Sequence, residues 1–297
     1  MDKKYVLITG VDGFLGGLIT KRLLETTDLY VFGLTLSFDR ANDMKERMGI
    51  ADSDRIKFIT NDDFFKVDEL QNVYGAIHLA FSRRMCPASD IASSIDFAAA
   101  IYKKLYDLGV DRIINMSSQG VYGNISELRT ETTVPAPETQ YTMAKYASEV
   151  LFNTILSKAP HHTNLRLDPV AQSQNVLKGL CKSAKSGLIK LKGGKQVFSF
   201  IDGEDAASAA VAMLTSDGDW ENVYNVGHNN KRYTLIELAD IVADSAESCG
   251  YKRPEIELEE SDISLWAGMD STRFMNKTMW KPRIMLKESI SCLMMSL

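Results

Sequence analysis

Tyr141-Thr-Met-Ala-Lys145 sets a phenol and an ammonium four residues apart, and on a helix such positions share one face. A free tyrosine, with a pKa of roughly 10, is a poor base at neutral pH. An adjacent ammonium favours the phenolate, each unit of displacement being worth about 1.4 kcal/mol. The pair alone carries little weight, because eleven tyrosines in a chain with 21 lysines give about 0.8 such spacings by chance. Two upstream features change that. Thr9-Gly10-Val11-Asp12-Gly13-Phe14-Leu15-Gly16 is a glycine-rich turn, and Ser117-Ser118 closes an apolar run. That order of glycine turn, hydroxyl-ended strand and phenol–ammonium pair makes a redox enzyme the leading reading.

These residues need a frame that brings a turn, a strand end and a helix together. Tyr5–Thr9 is an apolar run too short for a helix and is stopped by Gly10. Gly13–Leu24 follows, with Phe14, Leu15, Leu18, Ile19 and Leu23 on one helical face. Further strands are expected at Leu29–Leu34, Ile56–Ile59, Ala76–Ala80 and Arg112–Met116, with helices around Ala41–Met48 and Ile91–Leu108. Strands separated by helical segments imply right-handed βαβ units. The expected fold class is α/β: a Rossmann-type, doubly wound parallel sheet over residues 1–168 and a small α/β C-terminal substrate lobe over 169–297. Beyond Leu165–Asp168 shorter strands (Leu188–Leu191, Val197–Ile201, Val223–Val226) mix with helices at Gly203–Leu214 and Thr234–Ser248. Some of these late segments can return to the first domain. The substrate cleft is expected between the two parts.

Composition narrows the class. At 297 residues the chain is long enough for a sizeable core. A net charge of −5 with no basic block argues against a nucleic-acid surface. Cys86, Cys181, Cys249 and Cys292 are widely spaced and the histidines are not clustered, so no metal site or disulfide framework is expected. No apolar run approaches the ~20 residues needed to span a bilayer, and a strand beginning by Tyr5 leaves no room for a signal peptide. A cytoplasmic protein is expected, its apolar tail Ile290–Leu297 packed rather than anchored.

Glycines at i, i+3 and i+6 between a strand and a helix let the backbone approach a pyrophosphate, while the helix N-terminus offers unpaired amides. The spacing is Gly-x-x-Gly-x-x-Gly rather than Gly-x-Gly-x-x-Gly. An acid ending the second strand hydrogen-bonds ribose hydroxyls and repels a 2′-phosphate. Here Thr35 stands at that place, and Ser37 and Arg40 follow within reach of a phosphate. Arg40 can equally be a solvated residue opening a helix. The reading leans to NADP over NAD.

With these motifs in order, the chain resembles the extended short-chain dehydrogenase/reductases, the NAD(P)-dependent epimerase/dehydratase family that acts mainly on nucleotide sugars. The likeness runs nearly end to end. Thr9–Gly16 matches the phosphate loop, including Asp12, Phe14 and Leu15. Ala76-Ile-His78-Leu79-Ala80 matches the fourth-strand segment, and Arg112–Gly123 the fifth strand with its serine. Tyr141–Lys145, followed by Glu149, matches the catalytic helix. Phe200–Ala207, Val223–Gly227 and Trp280–Pro282 recur in the family's order.

The resemblance implies a site of Ser118, four residues before Tyr122, with Tyr141 and Lys145. Tyr141 exchanges a proton with a substrate hydroxyl or ketone, Ser118 orients the reacting oxygen, and Lys145 also holds the nicotinamide ribose. It implies cofactor contacts from Leu79, Ala80, Met116 and Pro169, and an adenine contact from Asp62 rather than Asp63. Substrate contacts are expected from Ser82, Arg83, Ser118, Gln119, Tyr141 and Asn175. In the family's 4,6-dehydratases an acid pair follows the hydroxyl residue; here Gln119 and Gly120 stand there and dehydration is disfavoured. Where many members carry Arg and then Asn, this chain reads Arg166-Leu-Asp168-Pro169, which leaves substrate identity open.

The leading expectation is an NAD(P)-dependent nucleotide-sugar epimerase or 4-ketoreductase. Its rivals are an NADP-dependent reductase of a non-sugar carbonyl compound and a nonenzymatic NAD(P)-sensing protein. The wide apolar faces of Ile91–Leu108 and Tyr141–Leu156 suggest a homodimer, as in the family.

Overall fold

The computed structural model describes residues 3–66, 72–229 and 231–297. Short apolar runs alternate with helices from the start: β1 (Tyr5–Thr9), α1 (Phe14–Thr26), β2 (Tyr30–Thr35), α2 (Phe38–Met48), β3 (Ile56–Thr60), α3 (Asn61–Lys66), β4 (Val73–His78), α4 (Ala88–Asp107), β5 (Arg112–Ser118), α5 (Gln140–Ile155) and β6 (His161–Leu167). Then come α6 (Asn175–Lys185), β7 (Leu188–Lys192), β8 (Val197–Phe198), α7 (Gly203–Leu214), β9 (Val223–Val226), β10 (Tyr233–Thr234), α8 (Leu235–Ser248), β11 (Glu255–Glu259), α9 (Thr272–Thr278) and α10 (Leu286–Ser296).

Seven strands form one sheet in the order β3-β2-β1-β4-β5-β6-β9, and the pairings from β3 to β5 are parallel. The order reverses between β1 and β4, and open α/β sheets bind ligands outside the carboxyl ends of the strands at such a switch point. This is the doubly wound α/β sheet expected from the sequence. Antiparallel β8–β10 and parallel β7–β11 form two further small sheets.

The chain forms two compact units: Met1–Val121 with Pro135–Arg166 and Ala207–Tyr224, and Tyr122–Val134 with Leu167–Ala206 and Asn225–Leu297. In the first, Leu7, Leu34, Ala76 and Ile113 of the sheet are buried with Ile101, Tyr102 and Leu105 of α4 and Phe152 of α5. The apolar faces of α4 and α5 thus pack partly on each other within one chain. Tyr102 meets Phe152 edge-on at 4.9 Å, and its hydroxyl lies 2.7 Å from Ser148 Oγ. In the second unit α6, α8 and α10 enclose Leu177, Leu238, Val242, Ile290, Leu293 and Met294, so three residues of the apolar tail belong to the core while Met295 and Leu297 are exposed. Among the described residues, no helix is long and apolar enough to cross a membrane.

Several boundaries differ by a few residues from the sequence expectation, three of them for a clear local reason. The fourth strand ends at His78 because the amides of Leu79 and Ala80 donate to Thr9 Oγ1, at 3.0 and 3.1 Å, instead of to a strand. α2 begins at Phe38 because Ser37 acts as its N-cap, accepting from the Arg40 amide. Val197–Ile201 is strand only to Phe198; Ile201 pairs instead with Val170 in an isolated bridge.

Candidate active site

The glycine turn closes on itself at the switch point. Gly10 has φ +66, a conformation that favours glycine, and a Cβ there would lie 3.1 Å from Ala80 Cα. A Cβ at Gly16 would come 2.3 Å from the Gly10 carbonyl oxygen. α1 starts at Phe14 with Gly13 as N-cap and no side chain bonded to its first amides. Those amides and the close backbone fit a pyrophosphate. Of the residues expected around the cofactor, Gly10, Asp12, Gly13, Phe14, Leu15, Gly16, Leu79 and Ala80 are gathered at or beside this turn.

A cavity of about 480 Å³ opens beside it, bounded by Asp12, Gly13, Phe14, Arg40, Arg47 and Arg83 among others. Arg83, expected on the substrate, is therefore placed next to the glycine turn. Asp12 Oδ2 accepts from Arg40 Nε at 2.6 Å and from Thr35 Oγ1 at 3.3 Å. Thr35 is buried, and its single hydroxyl proton is shared between Asp12 Oδ2 and the nearer Ser37 carbonyl, at 2.8 Å. Asp62 is exposed in the first turn of α3, where Asp63 accepts from Thr60 and Lys66.

A reciprocal cap starts the helix that carries Tyr141 and Lys145. Thr139 Oγ1 accepts from the Thr142 amide at 3.2 Å while Thr142 Oγ1 accepts from the Thr139 amide at 3.0 Å, which starts α5 just before Tyr141. A Cβ on Gly120 would lie 2.7 Å from Thr142 Cγ2 and 3.4 Å from Ser118 Oγ. The first turn of α5 is thus pressed against the turn after β5, and Ser118 Oγ accepts from the Gly120 amide at 3.1 Å. One turn further along α5, Lys145 is buried and its Nζ donates to the Met116 carbonyl at 2.8 Å. Phe81, which no sequence signal singled out, joins the group. Its ring centroid lies 4.1 Å from Lys145 Nζ and 6.1 Å from the Tyr141 ring, edge-on.

Burial sets the charges of these groups. It pushes the Tyr141 phenol up to about 12. It pulls the Lys145 ammonium down to about 7, against the opposing pull of Glu149. His78 is neutral: burial, then the Lys145 charge, lower it to about 3, and its Nδ1 lies 2.9 Å from Thr9 Oγ1. In unfolded chain Lys145 holds its proton to pH ~10.4, whereas in the folded chain it releases it near 7. Between those values the unfolded state binds more protons, so Lys145 makes stability rise with pH. Urea melts of the dinucleotide-free chain at pH 7 and 9 test this: Lys145→Met flattens the rise. An equal rise in that variant would contradict the assignment.

Behind Lys145, Glu149 and Arg166 form a buried ion pair. Arg166 Nε and Nη2 donate to the two carboxylate oxygens, the shortest contact being 2.6 Å, and Ser117 Oγ donates to Oε1 in a short hydrogen bond. The sequence marked Glu149 and Arg166 separately; the structure joins them.

The other residues marked in the sequence have the following local surroundings. Gln119 is buried in a 3-10 turn spanning Gln119–Tyr122. Ser82 Oγ donates to the Asp90 carbonyl at 3.0 Å, at the start of α4. Tyr122 Oη donates to Asn225 Oδ1 at 2.7 Å, which makes it a buried structural link. Asp168 is buried, accepts from Ser199 Oγ at 2.9 Å, and is pushed up to about 7 by burial. Its Oδ2 occupies the space a Cβ on Gly227 would take, at 2.2 Å, so Gly227 is required there. Pro169 accepts from the Ile201 amide through its carbonyl, at 3.1 Å, and Asn175 is exposed at the start of α6.

Fold and turn together define a Rossmann-type α/β protein whose Ser118 ends β5 and whose Tyr141 and Lys145 lie on α5. Residues 6–227 match the NAD dependent epimerase/dehydratase family, and the chain belongs to it. A dTDP-glucose 4,6-dehydratase of Neisseria gonorrhoeae is 24% identical over 285 residues, covering 85% of this chain and 80% of that protein. A UDP-glucuronate 4-epimerase of Thermodesulfobacterium geofontis is 22% identical, covering 96% and 94%. The crystal structure of UDP-glucuronic acid 4-epimerase from Bacillus cereus, in complex with UDP-glucuronic acid and NAD, superposes with a TM-score of 0.81 at 18% identity, covering 98% of both chains. The expected NADP preference finds no support in these comparisons, and Thr35, Ser37 and Arg40, on which it rested, are each already bonded within the chain.

Proposed function

We propose that the chain exchanges hydride and proton at a ring carbon of a nucleotide sugar, as a 4-epimerase or 4-ketoreductase. The observation that carries this is the seating of Gly120 against Thr142, which brings Ser118 to the turn of α5 that bears Tyr141. A nicotinamide dinucleotide held at the glycine turn by Gly10, Gly13 and Gly16 would supply the hydride chemistry. Tyr141 takes the proton from the sugar hydroxyl and gives it back to the ketone. Ser118 orients that oxygen and stabilises its charge as it develops. Lys145, held by the Met116 carbonyl, supplies positive charge that favours the phenolate and a donor for the cofactor ribose. Residues 169–297 are assigned to the sugar nucleotide.

The relatives named above include a 4,6-dehydratase and a 4-epimerase, so the choice rests on side chains. Dehydration needs an acid where this chain has Gln119 and Gly120. Gly120 has no room for a side chain without displacing Thr142. The buried Asp168 and the following Pro169, one of which replaces the Asn that many members carry at the lobe entry, favour a second reading, reduction of a non-sugar carbonyl compound.

Incubation with NAD(H) or NADP(H) and a panel of UDP-, dTDP-, CDP- and GDP-sugars, read by NMR, decides among these readings. A 4-epimer, or reduction of a supplied 4-keto sugar, is expected. A 4-keto-6-deoxy product would overturn the argument from Gln119 and Gly120. Turnover confined to non-sugar ketones would replace the first reading with the second.

A further inference from the structure

The glycine turn carries an acid whose side chain lies over the end of β2. Asp12 Oδ2 takes hydrogen bonds from Thr35, the last residue of that strand, and from Arg40 Nε. Its side chain is 6% exposed against 56% for Arg40, so the carboxylate is the more fixed partner. Arg47 Nη2 adds a third tie, donating to the Asp12 carbonyl at 3.1 Å. Both side-chain bonds fall on Oδ2, so Oδ1 keeps its lone pairs for a further donor. In dinucleotide-binding sheets an acid ending the second strand meets the adenosine ribose; here the strand ends in Thr35, and a carboxylate from the preceding turn reaches the same place. The adjoining cavity sets Arg40, Arg47 and Arg83 against Asp12, Asp43 and Glu46, three guanidiniums against three carboxylates, with no formal excess of positive charge.

We infer that Asp12 determines which dinucleotide the chain takes. Its carboxylate accepts from the 2′- and 3′-hydroxyls of the adenosine ribose and repels a 2′-phosphate, while Arg40 serves as its counter-ion rather than as a phosphate ligand. NAD is selected over NADP. This inference rests on the glycine turn being the dinucleotide site.

Isothermal titration calorimetry of the full chain with NAD+ and NADP+ tests it without any turnover. The wild-type chain is expected to bind NAD+ at least tenfold more tightly. Asp12→Asn, which keeps the shape and removes the charge, lowers that ratio at least tenfold, chiefly by strengthening NADP+. Arg40→Met, which leaves the acid in place, maintains or widens the ratio. Wild-type preference for NADP+, parallel weakening of both ligands in Asp12→Asn, or a narrowed ratio in Arg40→Met overturns the inference alone. Binding of neither dinucleotide by the folded wild-type chain overturns the reading of the glycine turn as well. Should Asp12→Asn fail to fold, the wild-type and Arg40→Met ratios still decide.

Discussion

Tyr141→Phe lowers the rate of hydride transfer by about 10³-fold while leaving dinucleotide affinity within a few-fold. A positioned proton donor or acceptor contributes roughly 10²–10⁴ in rate, and a factor of 10³ corresponds to about 4 kcal/mol of barrier. The substitution is well suited to isolating that contribution. The Tyr141 ring packs edge-on against Phe81, a contact that phenylalanine retains. What disappears is the hydroxyl. Burial alone holds that phenol up to about 12, so the phenolate form depends on positive charge from Lys145 and from an oxidised nicotinamide. Single-turnover absorbance of the reduced nicotinamide gives the rate, and calorimetry gives the affinity. A variant that turns over within tenfold of the wild type would remove Tyr141 from the proton-transfer role.

Glu149→Ala is expected to destabilise the fold by about 3–5 kcal/mol. That is the usual cost of removing one partner of a buried pair, because the other charge is left without compensation. Here the orphan is the Arg166 guanidinium, whose side chain is 6% exposed and whose donors now bond both carboxylate oxygens. Ser117 Oγ also loses its acceptor. Urea unfolding followed by circular dichroism measures the loss, and a change under about 1 kcal/mol would show the pair to be incidental. Glu149→Leu with Arg166→Leu removes both charges and recovers most of the stability. The variant has a second, independent readout. Glu149 favours the charged form of Lys145, so its loss lowers the lysine's pKa further. The rise of stability with pH that Lys145 produces then sets in at lower pH.

Local patterns in the sequence were enough for much of this molecule. The strand Tyr5–Thr9 and the helix Gly203–Leu214 appear with the expected bounds, because run length and breaker residues are properties of a few adjacent positions. Tyr141 and Lys145 lie on one helix for the same reason. Gln119 and Gly120 could be read as lacking an acid without any coordinates. Where the reading leaned on spacing alone, the missing information was a partner far along the chain. Ser37 and Arg40 looked available for a phosphate, yet Ser37 caps α2 and Arg40 meets Asp12, 28 positions earlier.

The amino-acid sequence by itself therefore determined the alternation of elements, the glycine turn and the phenol–ammonium pair, since each depends on backbone preference or helical spacing over fewer than about ten residues. The tertiary structure alone decided which groups are charged and what they face. Strand order brings Thr35 under Asp12, β6 carries Arg166 to Glu149, and the turn after β4 lays Phe81 on Tyr141 and Lys145. Each of these contacts joins residues well separated in sequence, and burial changes the energy of a charge only once such neighbours have excluded water.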